Sequence, residues 1–337
     1  MELACVNDRQ ILLLDWLHAV LPMAPARIAP ASSDASFRRY FRVWYDGQTR
    51  IVMDAPPDKE DCRPFVAIAQ ALRGLGLNAP EVLAADFDRG LLLLTDLGDR
   101  QYLAELDERS VPGLYGDALE ALARLQVGGD PGSCLLPPYD SALLHREMEL
   151  FRDWFLGRQV GLKLREDEHH ILDRAFALLA DNALEQPRVW VHRDYHSRNL
   201  MVTAPDNPGV LDFQDAVVGA VTYDLVSLLR DCYIAWPRER VEAWALTHRA
   251  RLRALGMAGL EDTGQFLRWF DLMGVQRHLK ATGIFARLNL RDGKPGYLHD
   301  IPRTLGYVLA VAGRYPELKA LGDLLLAHRI DRWELAA

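Results

Sequence analysis

The spacing of hydrophobic residues divides the chain into two parts that meet near residue 100. In the first part, stretches such as FRVWY at 41–45 alternate apolar and polar side chains, which is the period of a half-buried β-strand. The turn Asp46-Gly47 follows, and a second strand-like stretch covers 48–55, so the two predict a β-hairpin. In the second part, apolar residues recur every three to four positions, which predicts helices.

These patterns predict a small sheet-rich lobe, 1–96, followed by a larger, mainly helical lobe, 97–337. Two lobes that meet at a short hinge form a natural cleft for a ligand. In the first lobe the predicted strands are 36–45, 48–55, 81–87 and 91–97, and the predicted helices are 7–21 and 65–76. In the second lobe the predicted helices are 110–126, 141–157, 166–184, 221–233, 238–255, 262–288, 301–313 and 316–328, with short strands near 199–203 and 208–212.

Composition and charge narrow the classes of function. The 337 residues carry a net charge of −8, and no nucleic-acid partner is expected, because phosphate backbones require a basic face. Four well-separated cysteines without a C-x-x-C pair predict reduced thiols in a cytosolic protein. The apolar run at 11–14 is too short for a signal peptide, and no run approaches the roughly 18 residues of a membrane span. We therefore expect a soluble cytoplasmic protein without a membrane partner.

One motif of the second lobe carries the clearest chemistry. The stretch VHRDYHSRNLM at 191–201 places four residues between Asp194 and Asn199, and Asp212-Phe213 follows. Protein kinases use this spacing for a base that accepts the hydroxyl proton and for oxygen ligands that hold Mg²⁺ on ATP. We predict Asp194 as the catalytic base and Asn199 and Asp212 as Mg²⁺ ligands, brought together by a hairpin of the two short strands. The alternative is that the three side chains only cap turns.

The residues after Asp212 argue against a protein substrate. Gln214 replaces the glycine of D-F-G, and a helix is predicted to begin near Val221. That interval leaves no room for an activation segment that would dock a peptide. The tripeptide APE occurs at 79–81, before the catalytic loop rather than after it. The predicted acceptor is therefore a small hydroxylated molecule.

The first lobe lacks the glycine-rich loop that covers the phosphates in protein kinases. Its first turn is ASSDAS at 31–36, which contains no glycine. Backbone amides and the hydroxyls of Ser32, Ser33 and Ser36 are therefore the predicted phosphate contacts. An ordinary turn rich in serine and aspartate is the alternative.

The first lobe also lacks the third-strand lysine that kinases pair with a helical glutamate to hold the α- and β-phosphates. Met53 and Asp54 stand at the matching positions, and the following helix offers no glutamate on its facing side. Two interpretations stay open. Another cation replaces the lysine, with Arg42, Arg50 and Lys59 as candidates, or the chain is a catalytically inactive ATP-binding regulator.

Taken together, these motifs resemble the aminoglycoside phosphotransferase superfamily of small-molecule kinases. Its members combine an H-x-D-x-x-x-x-N loop with a later D-[FW] and a YDL that opens a helix; VHRDYHSRNLMV, VLDFQDA and the YDL at 223–225 match in that order. The resemblance covers about 25–330. It implies an α+β, bilobal, protein-kinase-like fold with a small antiparallel sheet, ATP and Mg²⁺ as cofactors, and an adenine site on the backbone of Asp96 and Leu97.

Within that superfamily the chain resembles more closely the anomeric kinases of N-acetylmuramate and N-acetylglucosamine in cell-wall recycling. The stretches that carry this resemblance are SSDASFRRYFRV, VMDAPPDKED, DFQDAVVGAVTYDLVSLLRDCYIAWP and GVQRHLKATGIFARLNLRDGK. It implies transfer of the ATP γ-phosphoryl group to the C1 hydroxyl of the sugar, giving α-1-phosphates. Aminoglycosides, choline and homoserine are the alternative acceptors.

Residues around the motif are the first candidates for contacts with a small-molecule acceptor. His196 lies in the loop, and Gln214 and Asp215 follow the metal ligand, where they would bond sugar hydroxyls. Asp215 as an ordinary turn residue is an equal alternative.

A helix face supplies the second group of candidates. Arg277, Lys280 and Arg287 fall within an arc of about 80° at the helical rotation of 100° per residue. A guanidinium clamps a carboxylate with two hydrogen bonds, so we expect this face to recognise the lactyl carboxylate of N-acetylmuramate. The alternative is a solvated helix face.

Overall fold

The computed structural model of the chain describes residues 8–33 and 37–333. Within these ranges, no helix is long and apolar enough to cross a membrane. Three of the predicted reduced thiols, those of Cys62, Cys134 and Cys232, form no disulfide. Cys5 lies outside the described residues.

The described residues form two compact units. The first unit contains the chain up to Arg100 together with Met201–Gln214, and the second contains Gln101–Leu200 and the chain from Asp215 onward. The segment from Met201 to Gln214 thus belongs to the first unit, although its neighbours on both sides belong to the second. The two predicted lobes are each continuous in sequence, and as domains they stay a prediction.

The first unit is built on an antiparallel five-stranded sheet with the strand order β1-β2-β3-β5-β4. Its elements up to Arg100 are α1 (Asp8–Val20), β1 (Arg27–Ser33), β2 (Arg39–Tyr45), β3 (Gln48–Asp54), α2 (Arg63–Gly74), β4 (Val82–Asp86) and β5 (Leu91–Thr95). The predicted hairpin joins β2 to β3, and Asp46 and Gly47 both adopt the positive φ that such a tight turn requires.

Helix α1 covers one face of this sheet. Leu17 is fully buried against a cluster that includes Val43 of β2 and Val52 of β3. Each such side chain contributes about 1.5–3 kcal/mol when it leaves water. Because side chains alternate along a strand, Arg42 and Met53 lie on the opposite face. The buried residues of the cluster are Leu13, Trp16, Leu17, Leu21, Val43, Tyr45, Val52, Leu91 and Leu93.

Strand β1 was not expected from the sequence. Its sequence, RIAPASS, contains small residues and Pro30 and shows no clear alternation. The strand lies at the edge of the sheet and pairs with β2 alone, and its register shifts between Pro30 and Ser32. An edge position tolerates a proline because the missing N–H faces away from the ladder.

The rest of the chain is mainly helical, as predicted. The helices are α3 (Tyr102–Glu105), α4 (Val111–Gly128), α5 (Ser141–Leu150), α6 (Glu166–Leu184), α7 (Tyr223–Leu229), α8 (Arg238–Ala254), α9 (Thr263–Asp292), α10 (Ile301–Ala312) and α11 (Lys319–Ala327), with a π-helix at Phe151–Gln159. The short strands are β6 (Arg188–Val191), β7 (Leu200–Met201), β8 (Gly209–Val210) and β9 (Val217–Ala220). The pair β7-β8 was predicted; β6 and β9 were not, because short apolar runs show no period.

Helix α9 is the long central element of the second unit. It is buried along most of its length, from Phe266 to Leu288. At Gly283 the helix passes so close to the start of the π-helix that an added Cβ would lie 2.3 Å from the Leu150 carbonyl carbon. Glycine is required here because any side chain would force α9 away from that backbone. The candidate residues Arg277, Lys280 and Arg287 all lie on this helix.

Candidate active site

A buried carboxylate fixes the start of the candidate catalytic loop, which connects β6 to β7. Asp224, in the first turn of α7, accepts hydrogen bonds from the backbone N–H of His192, at 2.6 Å, and of Arg193, at 3.0 Å. Arg193 adopts a φ of 75°, a conformation that costs about 1–3 kcal/mol outside glycine. Burial raises the pKa of Asp224 to about 7, although the two N–H donors oppose that rise. Asp224 therefore holds the strained turn immediately before Asp194.

Backbone and side-chain bonds also explain the four-residue spacing of the motif. The N–H of His196 donates to the Asp194 carbonyl, and the N–H of Asn199 donates to the His196 carbonyl. The Asn199 Nδ2 then donates to the Asp194 carbonyl at 3.0 Å. This last bond turns the amide oxygen of Asn199 away from that carbonyl, which is the orientation a metal ligand needs. The loop thus places the predicted base and one predicted Mg²⁺ ligand on a single closed turn.

The charges around Asp194 favour its ionised form. Burial raises the pKa of this carboxyl, but two cations, Lys280 above all and also Arg277, lower it further, and the net effect is a lowered pKa. An ionised carboxylate is the form that accepts a proton from an attacking hydroxyl. Both cations were predicted from the helix periodicity of α9.

Lys280 is engaged in a buried ionic cluster. Its Nζ lies 3.1 Å from Glu147 Oε1 and donates to the Tyr223 hydroxyl at 3.0 Å. The guanidinium of Arg193 and the hydroxyl of Tyr139 bind the same carboxylate. The two cations, Lys280 first, lower the pKa of Glu147 despite its burial, so the cluster is charged. The structure thus places Lys280 beside the loop, as a partner of Glu147.

Arg277 differs from Lys280 in its partners. Its side chain is buried, with 5% exposed, and its Nη1 donates to the sulfur of Cys232 at 3.5 Å. In the part of the chain that the structure describes, no carboxylate forms an ion pair with Arg277, and its buried Nε has no hydrogen-bond partner. Burial raises the pKa of the Cys232 thiol, so the sulfur is a weak, neutral acceptor. Arg277 is therefore a buried cation that could bind an anion, and its charge acts on Asp194.

Arg287 lies away from this group. It follows Arg277 by ten residues on α9, which is about 15 Å along a helix axis at 1.5 Å per residue. It is half-buried, and its pKa is lowered by burial first and then by Arg291. The predicted helix face therefore separates into a buried part near the loop and a part farther along α9.

A second buried carboxylate supports the other end of the loop. Asp231 accepts from the N–H of Ser197 at 2.9 Å and from its hydroxyl at 2.5 Å. The N–H of Tyr233 binds the other carboxylate oxygen at 3.0 Å. The ring of His196 packs edge-on against Tyr233, and its buried Nδ1 has no hydrogen-bond partner. Burial lowers the pKa of His196, which favours the neutral ring.

The predicted metal ligand Asp212 belongs to the first unit and has a φ of 63°. Gln214 Nε2 donates to its Oδ1 at 2.7 Å, so the residue that replaces glycine orients the carboxylate. Gln214 Oε1 is buried and has no hydrogen-bond partner. Phe213 is fully buried and packs on Phe65 of α2, with ring centroids 4.8 Å apart.

In the second unit, the side chain of Asp215 is exposed and its carbonyl accepts from Arg193 Nη1.

Comparison with known proteins places these features in a family. A family model described as the phosphotransferase enzyme family matches residues 27–263. The chain belongs to this phosphotransferase enzyme family. It is 49% identical to an N-acetylmuramate/N-acetylglucosamine kinase of Pseudomonas putida, over 88% of this chain and 87% of that protein. A protein of the same name from Pseudomonas aeruginosa is 48% identical, over 92% and 94%.

The solved structures confirm the predicted fold of this phosphotransferase. An ADP-bound aminoglycoside phosphotransferase matches with a TM-score of 0.57, over 89% of this chain and 98% of that one, at 16% identity. The small antiparallel sheet and the mainly helical remainder agree with the predicted α+β, protein-kinase-like fold. The resemblance to the aminoglycoside phosphotransferase superfamily is also confirmed.

The predicted nucleotide contacts lie in two separate segments of the first unit. Ser32 and Ser33 end strand β1, and Ser36 lies outside the described residues. Asp96 Oδ2 accepts from Arg42 Nε at 2.7 Å, and Asp96 Oδ1 accepts from the N–H of Gly98. These bonds fix the chain on both sides of Leu97. The backbone of Asp96 and Leu97 as an adenine site stays a prediction.

The three cations predicted to replace the kinase lysine all have other partners. Arg42 binds Asp96 and the Gly98 carbonyl. Arg50 donates to the Thr49 carbonyl and to Gln48 at the hairpin turn. Lys59 is half-exposed and pairs with Asp58. Because each of these three side chains already has a partner in the first unit, the replacement of the lysine by any of them stays a prediction.

The donor set of the phosphotransferase suits Mg²⁺ held jointly with a nucleotide. Among the described residues, no group of three or more His, Cys, Asp or Glu side chains is arranged to hold a metal ion. Asn199, in the second unit, and Asp212, in the first, each offer a hard oxygen, and Mg²⁺ takes few protein ligands and completes its shell with phosphates and water. Each residue by itself is of a type that fits the ion, and their joint role as Mg²⁺ ligands stays a prediction.

Sequence reasoning missed three residues that position the loop. Asp224 was noted only as part of YDL, and its bonds to the loop backbone were not foreseen. Asp224 and Asp231 are acidic residues in the largely apolar stretch TYDLVSLLRDC, and this signal identifies them as buried and bonded. Glu147 lies on an amphipathic helix, and no local pattern distinguishes it from exposed glutamates.

Proposed function

We propose that this phosphotransferase transfers the γ-phosphoryl group of ATP to the C1 hydroxyl of N-acetylmuramate and N-acetylglucosamine, in the cytoplasm, and releases sugar 1-phosphates for cell-wall recycling. The observation that carries the proposal is the near-50% identity, over almost the whole of both chains, to kinases named for these two sugars. The turn that holds Asp194 and Asn199 supports the phosphoryl-transfer step.

In this reaction the C1 hydroxyl oxygen attacks the γ-phosphorus. The new O–P bond forms as the bond from the γ-phosphorus to the β,γ-bridging oxygen breaks, ADP leaves, and the hydroxyl proton passes to Asp194. Mg²⁺ would be held by Asn199 and Asp212, with Gln214 orienting the Asp212 carboxylate. The lowered pKa of Asp194 keeps the base ionised before the attack.

Arg277 is the proposed partner of the lactyl carboxylate of N-acetylmuramate. Its burial, its weak bond to Cys232 and the influence of its charge on Asp194 support a role for an anionic group close to the acceptor. A guanidinium without a carboxylate partner has strong donors to offer such a ligand. Lys280 would act indirectly, through Glu147 and Arg193. His196, Gln214 and Asp215 remain proposed contacts of the hydroxyl groups, and Arg287 a proposed outer contact.

A single assay tests the reaction. Protein, Mg-ATP and a panel of sugars are mixed, and both ADP and reducing ends are measured. Phosphorylation at C1 produces ADP and removes reducing ends in equal amounts, whereas ADP with reducing ends retained would mean another hydroxyl. Binding of ATP with no ADP from any acceptor would instead support an inactive regulator.

A further inference from the structure

At the third-strand position where kinases carry their lysine, this phosphotransferase has a buried aspartate. Asp54 is buried and bonded by Arg9 of α1, at 2.6 Å, and by Arg39 of β2, at 2.5 Å. Because α1 packs on one face of the sheet, this carboxylate and its partners belong to that face. Met53, one residue earlier, is fully buried and lies on the other face. Asp54 therefore ties α1 to the sheet and does not place negative charge on the opposite face.

Arg38 immediately precedes strand β2. The first residue of β2, Arg39, reaches Asp54 on the α1 side, so the alternation of the strand, continued by one residue, directs Arg38 the other way. Tyr40 is two residues further along the chain and points to the same side of the sheet as Arg38. It is the register partner of Met53. Arg38 therefore lies on the same face of the sheet as the residue that stands where kinases carry their lysine.

A glutamate positions the Arg38 side chain. Arg38 Nε lies 3.7 Å from Glu60 Oε1, and 9% of the Arg38 side chain is exposed. Glu60 stands shortly before α2, which begins at Arg63. In kinases the helix that follows the third strand supplies the glutamate for the lysine. Here both members of the pair come from neighbouring positions: the cation from the residue before β2, and the carboxylate from the segment before the helix.

We propose that Arg38, positioned by Glu60, is the cation that binds the α- and β-phosphates of the nucleotide in this phosphotransferase. This proposal rests on the proposed function, because it takes ATP as the phosphoryl donor. Helix α1 covers the other face of the sheet, and Arg38 follows the end of the segment predicted to contact the phosphates, 31–36, by two residues. A guanidinium binds two phosphate oxygens at once, while the inner Nε stays directed at Glu60.

The test measures nucleotide binding directly, so it does not depend on any sugar. Calorimetric titration with ADP and with adenosine separates phosphate contacts from adenine contacts. For Arg38→Gln we expect ADP to bind at least tenfold more weakly and adenosine to bind within twofold of the parent. Arg39→Gln removes the same charge from the opposite face of the sheet and serves as the matched control, with both affinities within twofold. Unchanged ADP binding in Arg38→Gln would overturn the proposal.

A charge exchange excludes a purely structural role and covers the case in which Arg38→Gln does not fold. The double variant Arg38→Glu, Glu60→Arg keeps an ion pair at this place but moves the cation. If Arg38 binds phosphate, the double variant melts cooperatively and still binds ADP at least tenfold more weakly. Recovery of parental ADP affinity would show that the pair serves the fold alone. A parent protein that binds ADP but phosphorylates no sugar would refute the proposed function without affecting this test.

Discussion

The two units differ in how closely they keep the residue pattern of kinases. In the second unit, the loop of Asp194 keeps a pattern familiar from kinases, and buried carboxylates hold it by its backbone: Asp224 at one end and Asp231 at the other. In the first unit, Met53 and Asp54 stand where kinases carry the lysine, and Arg38, from another position, is the cation proposed for the phosphates. A group that acts on the reacting atoms must be one residue type at one position. A cation that stabilises a more distant phosphate can come from several positions around it.

We expect the largest loss of activity from a substitution of the predicted base in the second unit. Asp194→Asn removes the proton acceptor and should lower kcat by about 10²–10⁴-fold, because that is the usual contribution of a general base. ADP affinity should stay within twofold, since the nucleotide's predicted contacts lie in the first unit. Steady-state kinetics with calorimetry checks both parts. Near-parental kcat would remove Asp194 as the base.

Two buried aspartates test whether anchoring serves catalysis or only the fold. Asp224→Asn weakens two bonds to the loop backbone and should cost about 2–3 kcal/mol of unfolding free energy. It should also lower kcat at least tenfold, because the turn before Asp194 loosens. Asp54→Asn weakens the bonds to Arg9 and Arg39, and we expect a similar loss of stability with kcat within threefold. Equal losses of kcat in the two variants would contradict the distinction.

Acid should destabilise the second unit through its buried histidines. Burial lowers the pKa of His248 and of His278 to about 3, so both stay neutral in the folded state. Below the unfolded value near 6.5, the unfolded chain binds protons that the folded chain does not, and the unfolding free energy falls as pH falls toward 3. The first unit's one histidine, His18, is exposed.

The size of this acid effect can be measured by substitution. Between pH 7 and pH 5, each buried histidine should cost the parent about 2 kcal/mol, at about 1.4 kcal/mol per pH unit. His248→Gln should therefore lose about 2 kcal/mol less than the parent over this interval in urea unfolding, and His278→Gln about the same. A parent and variants with parallel pH profiles would show that neither histidine is responsible.

The smallest effect concerns the residue that replaces the kinase glycine. Gln214→Gly removes a hydrogen bond to the Asp212 carboxylate and should raise the half-saturating Mg²⁺ concentration by about three- to tenfold, since such a bond contributes about 1.5 kcal/mol. Titration of activity with Mg²⁺ measures this concentration. An unchanged half-saturating concentration in Gln214→Gly would refute an orienting role.

The sequence was most informative where one chemical requirement fixes several residues at once. Asp194, Asn199 and Asp212 stood out because their spacing is tied to a turn, and the turn is closed by bonds within the loop. The helices and the hairpin at Asp46-Gly47 followed from periodicity and from turn chemistry. These signals are local, so they can be read along the chain.

The remaining features depend on contacts between distant segments. Arg9 meets Asp54 only after α1 has packed on the sheet, and Arg193 meets Glu147 across 46 positions of sequence. Arg277 and Lys280 share a predicted helix face, yet Glu147 binds one and Cys232 the other. Periodicity placed these two residues on one helix but could not assign their partners. Strand β1 was not predicted, because Pro30 and the small residues around it show no alternation of apolar and polar side chains. An edge position in the sheet tolerates such residues.

The assignment of Met201–Gln214 to the first unit has a consequence for dissecting the protein. The chain passes from one unit to the other three times, after Arg100, before Met201 and after Gln214. Asn78 depends on the returning segment: its side chain donates to Thr203 and to the Asp206 carbonyl, and its own carbonyl accepts from Val210. A gene fragment that stops at Arg100 would leave all three of these bonds unmade. Neither unit can be expressed as a single continuous piece, so nucleotide binding must be studied in the full chain.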